Sequence, residues 1–324
     1  MAEREPDDAD VVLVGAGIMS MTLATFLKEL QPHLRLEIIE RLPGEAQESS
    51  AAWNNAGTGH AANCELNYTP QRPDGSVDIA KALEVNVEFD MSRQFWSYLV
   101  RKGAIPSADA FIHPVPHMSF ITGADRVAFL KKRHATMSAH HCYRGMEYSE
   151  DHKQIAEWVP LIMEGRDPAQ PVAATRMVTG ADVNYGALTS ALLAYLRRQG
   201  GFDIHFNHEV TDLHRRSDGG WQVDVTDEKT GEKRRIGAKY VFLGAGGAAV
   251  LGAAARGQCT GCAGQHLRGA PGLVDAQARG ERPLADLGRT GRHTGALHAG
   301  HGLHAPGAAA DQRAPLRRLL GLPA

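Results

Sequence analysis

Two glycines and a carboxylate near the N-terminus have the types and the spacing of a nucleotide-binding turn. The turn is Gly15-Ala16-Gly17-Ile18-Met19-Ser20, and Glu40 follows about twenty residues later. Gly15 allows a sharp turn, and Gly17, which has no Cβ, lets a phosphate oxygen come close to the backbone. Ser20 is small enough to keep a helix against a strand. The Glu40 carboxylate can bind both ribose hydroxyls of an adenosine, so we predict a dinucleotide site for either FAD or NAD.

The residues around this turn have the pattern of a βαβ unit. Residues 11–14 form a short apolar run, which is typical of a strand buried on both faces. We predict a helix from the turn to Pro32 and a second strand over residues 34–39, ending at Glu40. In this arrangement the backbone N–H groups at the helix N-terminus face a pyrophosphate.

A second apolar run ends in glycine near residue 244. Residues 240–243 predict a strand, which is followed by Gly244-Ala245-Gly246. Such a strand would rejoin the parallel sheet, so that its backbone approaches the dinucleotide from the other side. NAD dehydrogenases need no such return of the chain, whereas two-domain FAD enzymes usually have one. The second turn therefore favours FAD over NAD.

Composition and charge limit the class of protein. The chain has 324 residues, 43% of them hydrophobic, and a formal net charge of −2, which gives no indication of nucleic-acid binding. It has no apolar run long enough to span a bilayer, and the acidic residues 1–8 do not resemble a secretory signal. Four scattered cysteines predict no disulfide framework. We expect a protein of the reducing cytoplasm.

Small and polar residues are dense in residues 49–60. The segment begins with Ser49-Ser50 and includes Trp53-Asn54-Asn55-Ala56-Gly57-Thr58-Gly59-His60. Amides and hydroxyls can satisfy a polar heterocycle, and Asn54, Asn55 and Thr58 are the candidates. A surface loop has a similar composition, so composition alone leaves both interpretations open.

These segments resemble the malate:quinone oxidoreductase family, which is FAD-dependent. The similar blocks are the glycine turn and residues 48–50, 53–60, 64–70, 115–120, 144–146, 148–151, 163–168 and 182–186. They occur in the same order over most of the chain. The resemblance implies oxidation of L-malate to oxaloacetate, with electrons passed through FAD to a membrane quinone. It also implies peripheral attachment to the cytoplasmic face of the cell membrane.

The resemblance and the two glycine turns together define a predicted cofactor-binding set. In flavoproteins of this type, the backbone at the position of Val210 meets the adenine. The set is Gly15, Ala16, Gly17, Ile18, Met19, Ser20, Glu40, Arg41, Ser49, Ser50, Asn54, Asn55, Ala56, Gly57, Thr58, Val210, Gly244, Ala245 and Gly246.

A hydroxy-acid dehydrogenase needs a base that takes the hydroxyl proton while a hydride leaves the carbon. Imidazole titrates in the right range, and such a base contributes about 10²–10⁴ in rate. His117 is the first candidate and His60, beside the glycine-rich loop, is the second. Most of the sixteen histidines are expected to be structural or solvated.

A dicarboxylate substrate requires cations to bind it. The planar fork of arginine pairs with carboxylates bidentately, so Arg176 is the main candidate, with Arg144 and Arg166 beside it. Surface or structural ion pairs are the alternative for each of them. His140 and His141 stand beside Cys142, but their spacing matches no zinc motif. We interpret them as solvated helix surface and predict no metal site.

The order of predicted elements gives an α/β protein with an FAD-binding, Rossmann-like parallel sheet and an inserted α+β substrate domain. We assign residues 1–75 and 186–250 to the FAD domain and residues 76–185 to a partial substrate domain. Helices are expected over residues 78–102 and 188–199, and strands over residues 112–122 and 202–206. Residues 208–213, 221–225 and 235–238 are expected to form a small antiparallel meander.

The last part of the chain, residues 251–324, has a different composition. It contains no Phe, Trp, Tyr or Ile, so it cannot bury enough apolar surface to offset the entropy of ordering, and we expect disorder. We predict at most a short helix over residues 312–320, and we interpret the metal-like spacing of Cys259, Cys262 and His266 as a chance occurrence.

The family resemblance also stops at residue 251. We hypothesise a C-terminal truncation caused by a shifted reading frame, which sequencing the source DNA tests.

Two other functions remain open at this point. One is another FAD-dependent 2-hydroxy-acid dehydrogenase of the same superfamily. The other is a non-catalytic remnant that binds flavin without oxidising any substrate.

Overall fold

The computed structural model describes residues 8–246 and the strand Ala296–Leu297. The expected disorder of residues 251–324, the short helix at residues 312–320 and the Cys259, Cys262 and His266 group lie outside the described residues, apart from that strand. The described chain divides into two compact units. The first unit contains residues 8–50 and 192–246, and the second unit contains residues 51–191 with Ala296–Leu297.

Twelve strands and six α-helices are present in the described residues. The strands are β1 (Ala9–Val14), β2 (Leu36–Glu40), β3 (Ile112–Pro114), β4 (His117–Thr122), β5 (Glu147–Ser149), β6 (Val172–Met177), β7 (Ala181–Val183), β8 (Phe202–Phe206), β9 (His208–Arg215), β10 (Trp221–Asp227), β11 (Lys233–Leu243) and β12 (Ala296–Leu297). The helices are α1 (Ile18–Leu30), α2 (Ala80–Arg101), α3 (Ala124–Ser138), α4 (His152–Trp158), α5 (Pro160–Met163) and α6 (Tyr185–Leu196), within which the chain passes from the second unit to the first.

The first unit is built on one six-stranded sheet with the order β8-β2-β1-β11-β10-β9. β1 pairs in parallel with β2 and with β11, and β2 pairs in parallel with β8. Val12 and Leu13 of β1 are fully buried, as the continuous apolar run predicted. The predicted βαβ unit and the α/β class are therefore confirmed.

β11 is one continuous strand, whereas the sequence predicted two separate strands over residues 235–238 and 240–243. Its first half pairs antiparallel with β10, and its second half pairs in parallel with β1. Ala238 belongs to both ladders, because it faces Trp221 on β10 and Ala9 on β1. The meander and the parallel strands are thus parts of a single mixed sheet, which no short window of sequence can show.

The second unit contains an antiparallel sheet with the order β12-β4-β6-β5 and a two-stranded sheet of β3 and β7. The sequence predicted one strand over residues 112–122, but β3 and β4 belong to different sheets. Pro116 lies between them and has no N–H to donate, so a single ladder cannot continue through it. One face of the larger sheet packs on α3 through Ile121 and Leu130, and the other packs on α4 through Phe120 and Ile155.

Within the part of the chain that the structure describes, none of the helices combines the length and the apolar character needed to cross a membrane.

The core of the first unit gives a direct test of this packing. Ile236 is fully buried in the cluster that also contains Val12, Ile39 and Val223. We expect Ile236→Ala to lower the free energy of unfolding by about 2–5 kcal/mol, because it removes apolar contacts and leaves a cavity. Leu30→Ala, at a side chain that is 76% exposed, should change it by less than about 0.5 kcal/mol. Urea titration followed by circular dichroism measures both, and equal stabilities would contradict the described core.

Candidate functional site

The two glycine turns predicted from the sequence lie side by side at the carboxyl ends of β1 and β11. Gly15 has a φ of 93°, and a Cβ built on it would lie 2.8 Å from the Gly244 carbonyl oxygen. The N–H of Gly244 in turn donates to the carbonyl of Val14 at 2.8 Å. Only glycine combines this backbone conformation with so close an approach. The second turn therefore meets the first, as expected for a dinucleotide-binding sheet.

Gly17 precedes α1 and leaves the helix N-terminus open. Its φ is −84°, which any residue can adopt. Glycine is therefore useful here because it leaves room beside the helix, and the backbone conformation does not require it. The N–H of Ile18 donates to Ser50 Oγ at 2.9 Å, and a Cβ on Gly17 would lie 3.1 Å from the same oxygen. A polar acceptor already lies against this helix N-terminus, where the helix dipole favours a phosphate.

Glu40 ends β2 with its carboxylate directed at the glycine turn. Its Oε2 accepts from the N–H of Ala16 at 2.6 Å, and its Oε1 accepts from the N–H of Leu42 at 2.8 Å. The carboxylate is therefore held beside the turn, where a ribose bound to the adjacent pyrophosphate would lie. The glycine cradle, the open helix end and this acceptor together fit the adenosine diphosphate part of a dinucleotide.

The remaining predicted cofactor residues of the first unit have mixed surroundings. Ser20 is fully buried, and a side chain on Gly244 would collide with its hydroxyl, so there is space for only small residues at these two positions. Arg41 forms an exposed ion pair with Glu48 at 3.6 Å. Val210 packs partly buried against the sheet core, and Met19 is 65% exposed.

The polar loop of residues 51–60 is folded on its own backbone in the second unit. The Asn55 side chain donates to the carbonyl of Ala51 at 2.7 Å and accepts from the N–H of Gly57 at 2.8 Å. Thr58 is buried and forms an isolated antiparallel bridge with Asp182. Gly57 has a φ of 63°, and a side chain there would collide with the Asp182 carboxylate. The loop is therefore an ordered, close-packed segment.

Both candidate bases lie near one largely buried carboxylate, Glu65. The Nδ1 atom of His60 lies 3.1 Å from Glu65 Oε1, and the Glu65 side chain is only 13% exposed. Burial by itself raises the pKa of this carboxyl, but the hydrogen bond from His60, a backbone hydrogen bond and the charges of His60 and His117 together lower it to about 2. Glu65 is thus ionised at neutral pH, and Nδ1 of His60 must be the donor.

His117 is held differently from His60. It is 4% exposed, and its Nε2 lies 3.0 Å from the carbonyl oxygen of Ala181, which can only accept. Its ring also fills the space beside Gly180, where a Cβ would lie 2.5 Å from the ring. The His60 side chain, by contrast, is 52% exposed.

The structure places Arg176 and His117 on opposite faces of the β4–β6 sheet. Arg176 pairs with Met118 in the β4–β6 ladder, whereas His117 pairs with Met177, so the two side chains lie on opposite faces of the sheet. Arg176 contacts Glu147 at 3.4 Å and lies over the ring of Trp158.

The two other candidate arginines have separate surroundings. Arg166 lies over the Phe120 ring and donates to the Gln170 side chain at 2.6 Å, which places it on the sheet face of Arg176. Arg144 is exposed.

The sequence predicted that His140 and His141 lie on the solvated surface of a helix, but they do not lie on an α-helix. His141–Tyr143 is a short 3-10 helix, and ligand atoms of His140, His141 and Cys142 lie within 4.8 Å of one another. The Cys142 Sγ lies 3.5 Å from the Nε2 atom of His141, so the group is a local contact between neighbours in sequence.

Glu65 and Arg133 are the functional candidates that sequence reasoning missed. Glu65 lies five residues from His60, inside the block of residues 64–70, whose sequence indicated a family resemblance but no role for the carboxylate. Arg133 reaches the same segment from α3, more than sixty residues away in sequence. No spacing rule connects them, and the fold alone brings them together.

The chain is similar in sequence to proteins of one family. Residues 7–259 match the family model described as malate:quinone oxidoreductase (Mqo). The chain is 62% identical over 245 residues to a probable malate:quinone oxidoreductase of Rhodopseudomonas palustris, covering 76% of this chain and 49% of that protein. A protein of the same name from Bordetella avium is 61% identical with the same coverage. The chain spans about half the length of these curated relatives.

A solved structure shares the fold at low sequence identity. Glycine oxidase from Geobacillus kaustophilus superposes with a TM-score of 0.55 at 18% identity, covering 76% of this chain and 58% of that one. This likeness supports the α/β architecture described above.

The space at Gly17 gives a test of the nucleotide site. We expect Gly17→Ala to weaken FAD binding at least tenfold, or about 1.4 kcal/mol, because the added methyl group occupies the phosphate cradle while the backbone conformation tolerates alanine. Gly200→Ala, at a glycine with open space around its Cβ, is the matched control in the same unit. Quenching of flavin fluorescence measures both affinities. An unchanged affinity in Gly17→Ala would place the nucleotide elsewhere.

Proposed function

Because the chain belongs to the malate:quinone oxidoreductase family, we propose that it takes part in FAD-dependent oxidation of L-malate to oxaloacetate, with a membrane quinone as acceptor. The observation that carries the proposal is the family match over residues 7–259, together with a Glu40 carboxylate directed at the glycine turn. Since the chain spans half of its relatives, the activity of this chain by itself is part of the proposal.

The first unit is proposed to hold the adenosine diphosphate part of FAD. Gly15, Gly17 and Ser50 would surround the pyrophosphate at the α1 N-terminus, and Glu40 would bind the ribose. FAD is favoured over NAD because the second glycine turn lies against the first. The other predicted residues, including Asn54, Asn55 and the backbone at Val210, remain proposals for the rest of the cofactor.

The second unit is proposed to contribute to substrate oxidation. Conversion of a secondary alcohol to a ketone removes the hydroxyl proton and a hydride, and bound FAD supplies the acceptor for that hydride. The chain itself must supply a base, for which His117 and His60 are proposed. Arg176 is proposed to bind a substrate carboxylate, supported by its position within the family match over residues 7–259 and by the affinity of guanidinium for carboxylates. Because Arg176 and His117 lie on opposite faces of the sheet, we propose that they do not act on the same end of the substrate.

The proposed electron acceptor bears on where in the cell the protein acts. The names of the relatives include a quinone, and quinones of this kind reside in the lipid bilayer. We therefore propose peripheral contact with the membrane from its cytoplasmic side.

Anaerobic reduction of the flavin tests the proposed reaction. Chain loaded with FAD should lose its visible flavin absorbance when L-malate is added, because two electrons pass from substrate to cofactor. Addition of 2-hydroxyglutarate should leave the absorbance unchanged, since the proposed substrate is a four-carbon dicarboxylate. Bleaching by 2-hydroxyglutarate alone would identify a different hydroxy-acid dehydrogenase. Yellow protein that neither acid bleaches would contradict catalysis by this chain while leaving flavin binding intact.

A further inference from the structure

An irregular segment of the second unit, residues 61–66, has all its carbonyl oxygens bound by side chains. The donors come from α2, α3, β4 and the turns beside them, and Ala62, Asn63 and Cys64 in the middle of the segment are buried. The bonds run from Asn86 (3.1 Å) and Tyr143 (3.2 Å) to Ala61, from Arg133 to Ala62 (3.3 Å), Asn63 (3.3 Å) and Glu65 (3.5 Å), from Ser119 to Cys64 (2.7 Å) and from Thr69 to Leu66 (3.1 Å). Backbone without regular structure is thus fixed residue by residue.

Arg133 makes the largest contribution to this arrangement. Its side chain is fully buried, and its Nε also donates to Thr69 Oγ1 at 2.9 Å. Burial lowers the pKa of the guanidinium to about 10, so the group is still charged at neutral pH. Burying a cation against carbonyl oxygens is costly. Such a cost is expected where the position of the bound segment has a functional use.

The segment places the Glu65 carboxylate, and both of its oxygens are occupied. Oε1 accepts from His60 Nδ1 at 3.1 Å, and Oε2 accepts from the N–H of Cys64 at 3.3 Å. Because Nδ1 of His60 carries the donated proton, the neutral imidazole has its lone pair on Nε2. With half of the His60 side chain exposed, this nitrogen can be reached by a substrate.

The surroundings of His117 make it the weaker candidate for the base. Its Nε2 donates to the carbonyl of Ala181, so the lone pair of the neutral ring is on Nδ1, and this atom is buried beyond the reach of a substrate hydroxyl. Of the two proposed bases, His60 alone combines an orienting carboxylate with an accessible ring.

We propose that His60 accepts the hydroxyl proton of the substrate at Nε2 and that Glu65 and Arg133 are positioning residues for it. This inference rests on the hydroxy-acid oxidation proposed above. The O–H proton moves to Nε2, the Nδ1 proton stays hydrogen-bonded to Glu65, and the imidazolium that forms is stabilised by that carboxylate. The electron pair of the substrate C–H bond leaves as the hydride that FAD is proposed to accept.

The orientation of His60 can be tested in the chain itself, without catalysis. Nitrogen-15 NMR of wild-type protein should show His60 protonated on Nδ1 in its neutral form. Glu65→Gln keeps the shape of the side chain but leaves one acceptor oxygen for two donors, so this preference should be lost. Glu84→Gln, which removes an exposed carboxylate paired with Lys81, is the matched control and should preserve it. An unchanged His60 tautomer in Glu65→Gln would overturn the positioning role of Glu65.

The same nitrogen-15 spectrum tests the proposed positioning role of Arg133. Arg133→Lys keeps the positive charge but cannot donate to four separate oxygens, so the His60 tautomer should become mixed as in Glu65→Gln. A variant that is less stable yet keeps the wild-type tautomer would show that Arg133 only stabilises the fold.

The assignment of the base is tested by the rate of flavin reduction with L-malate. His60→Gln should lower the maximal rate by about 10²–10⁴ with little change in the half-saturating malate concentration. His117→Gln should have a much smaller effect on that rate, and the reverse order would overturn the assignment. Absence of reduction in the wild type would remove the proposed function and the base with it, whereas the role of Glu65 would still be decided by the tautomer.

Discussion

The close approach of two glycine turns at the ends of β1 and β11 is the constraint on which the nucleotide site depends. Gly15 and Gly244 are so near that a Cβ on Gly15 would contact the opposite carbonyl. β2 lies on the other side of β1 and ends at Glu40, whose carboxylate accepts from the N–H of Ala16. Three adjacent strands therefore fix the acceptor, the turn and the helix N-terminus in one place. The proposed nucleotide site therefore follows mainly from the order of the strands in the sheet, and Ser50 adds one polar group to it.

The features of the nucleotide site that lie close together in the chain could be predicted from the sequence. The apolar run of β1, the glycines and the carboxylate that ends β2 all lie within about thirty residues, and each has one physical use. The continuity of β11 was not predictable, because the strand changes partner at Ala238 while its own composition stays the same. The break between β3 and β4 had a visible cause in Pro116, but their separation into two sheets depends on partners elsewhere in the chain.

The candidate residues for proton transfer show the same limit. The sequence placed His117 ahead of His60 as the candidate base, whereas the contacts of the two rings favour the opposite order. Their difference depends on the accepting carbonyl of Ala181 for His117 and on the largely buried carboxylate of Glu65 for His60. The placement of Arg176 depends on register, since a shift of one residue in the β4–β6 ladder would move its side chain to the face of His117. Contacts between distant segments, rather than residue types, therefore decide the chemistry.

The affinity of the chain for FAD when Glu40 is changed tests the central claim most directly. Isothermal titration with FAD should give Glu40→Gln at least tenfold weaker binding than wild type, because the variant loses the charged acceptor for the ribose hydroxyls and one of the two oxygens that now bind Ala16 and Leu42. Glu228→Gln, at an exposed carboxylate of the same unit, should bind FAD as the wild type does. Equal affinity of Glu40→Gln and wild type would contradict the site described for the first unit.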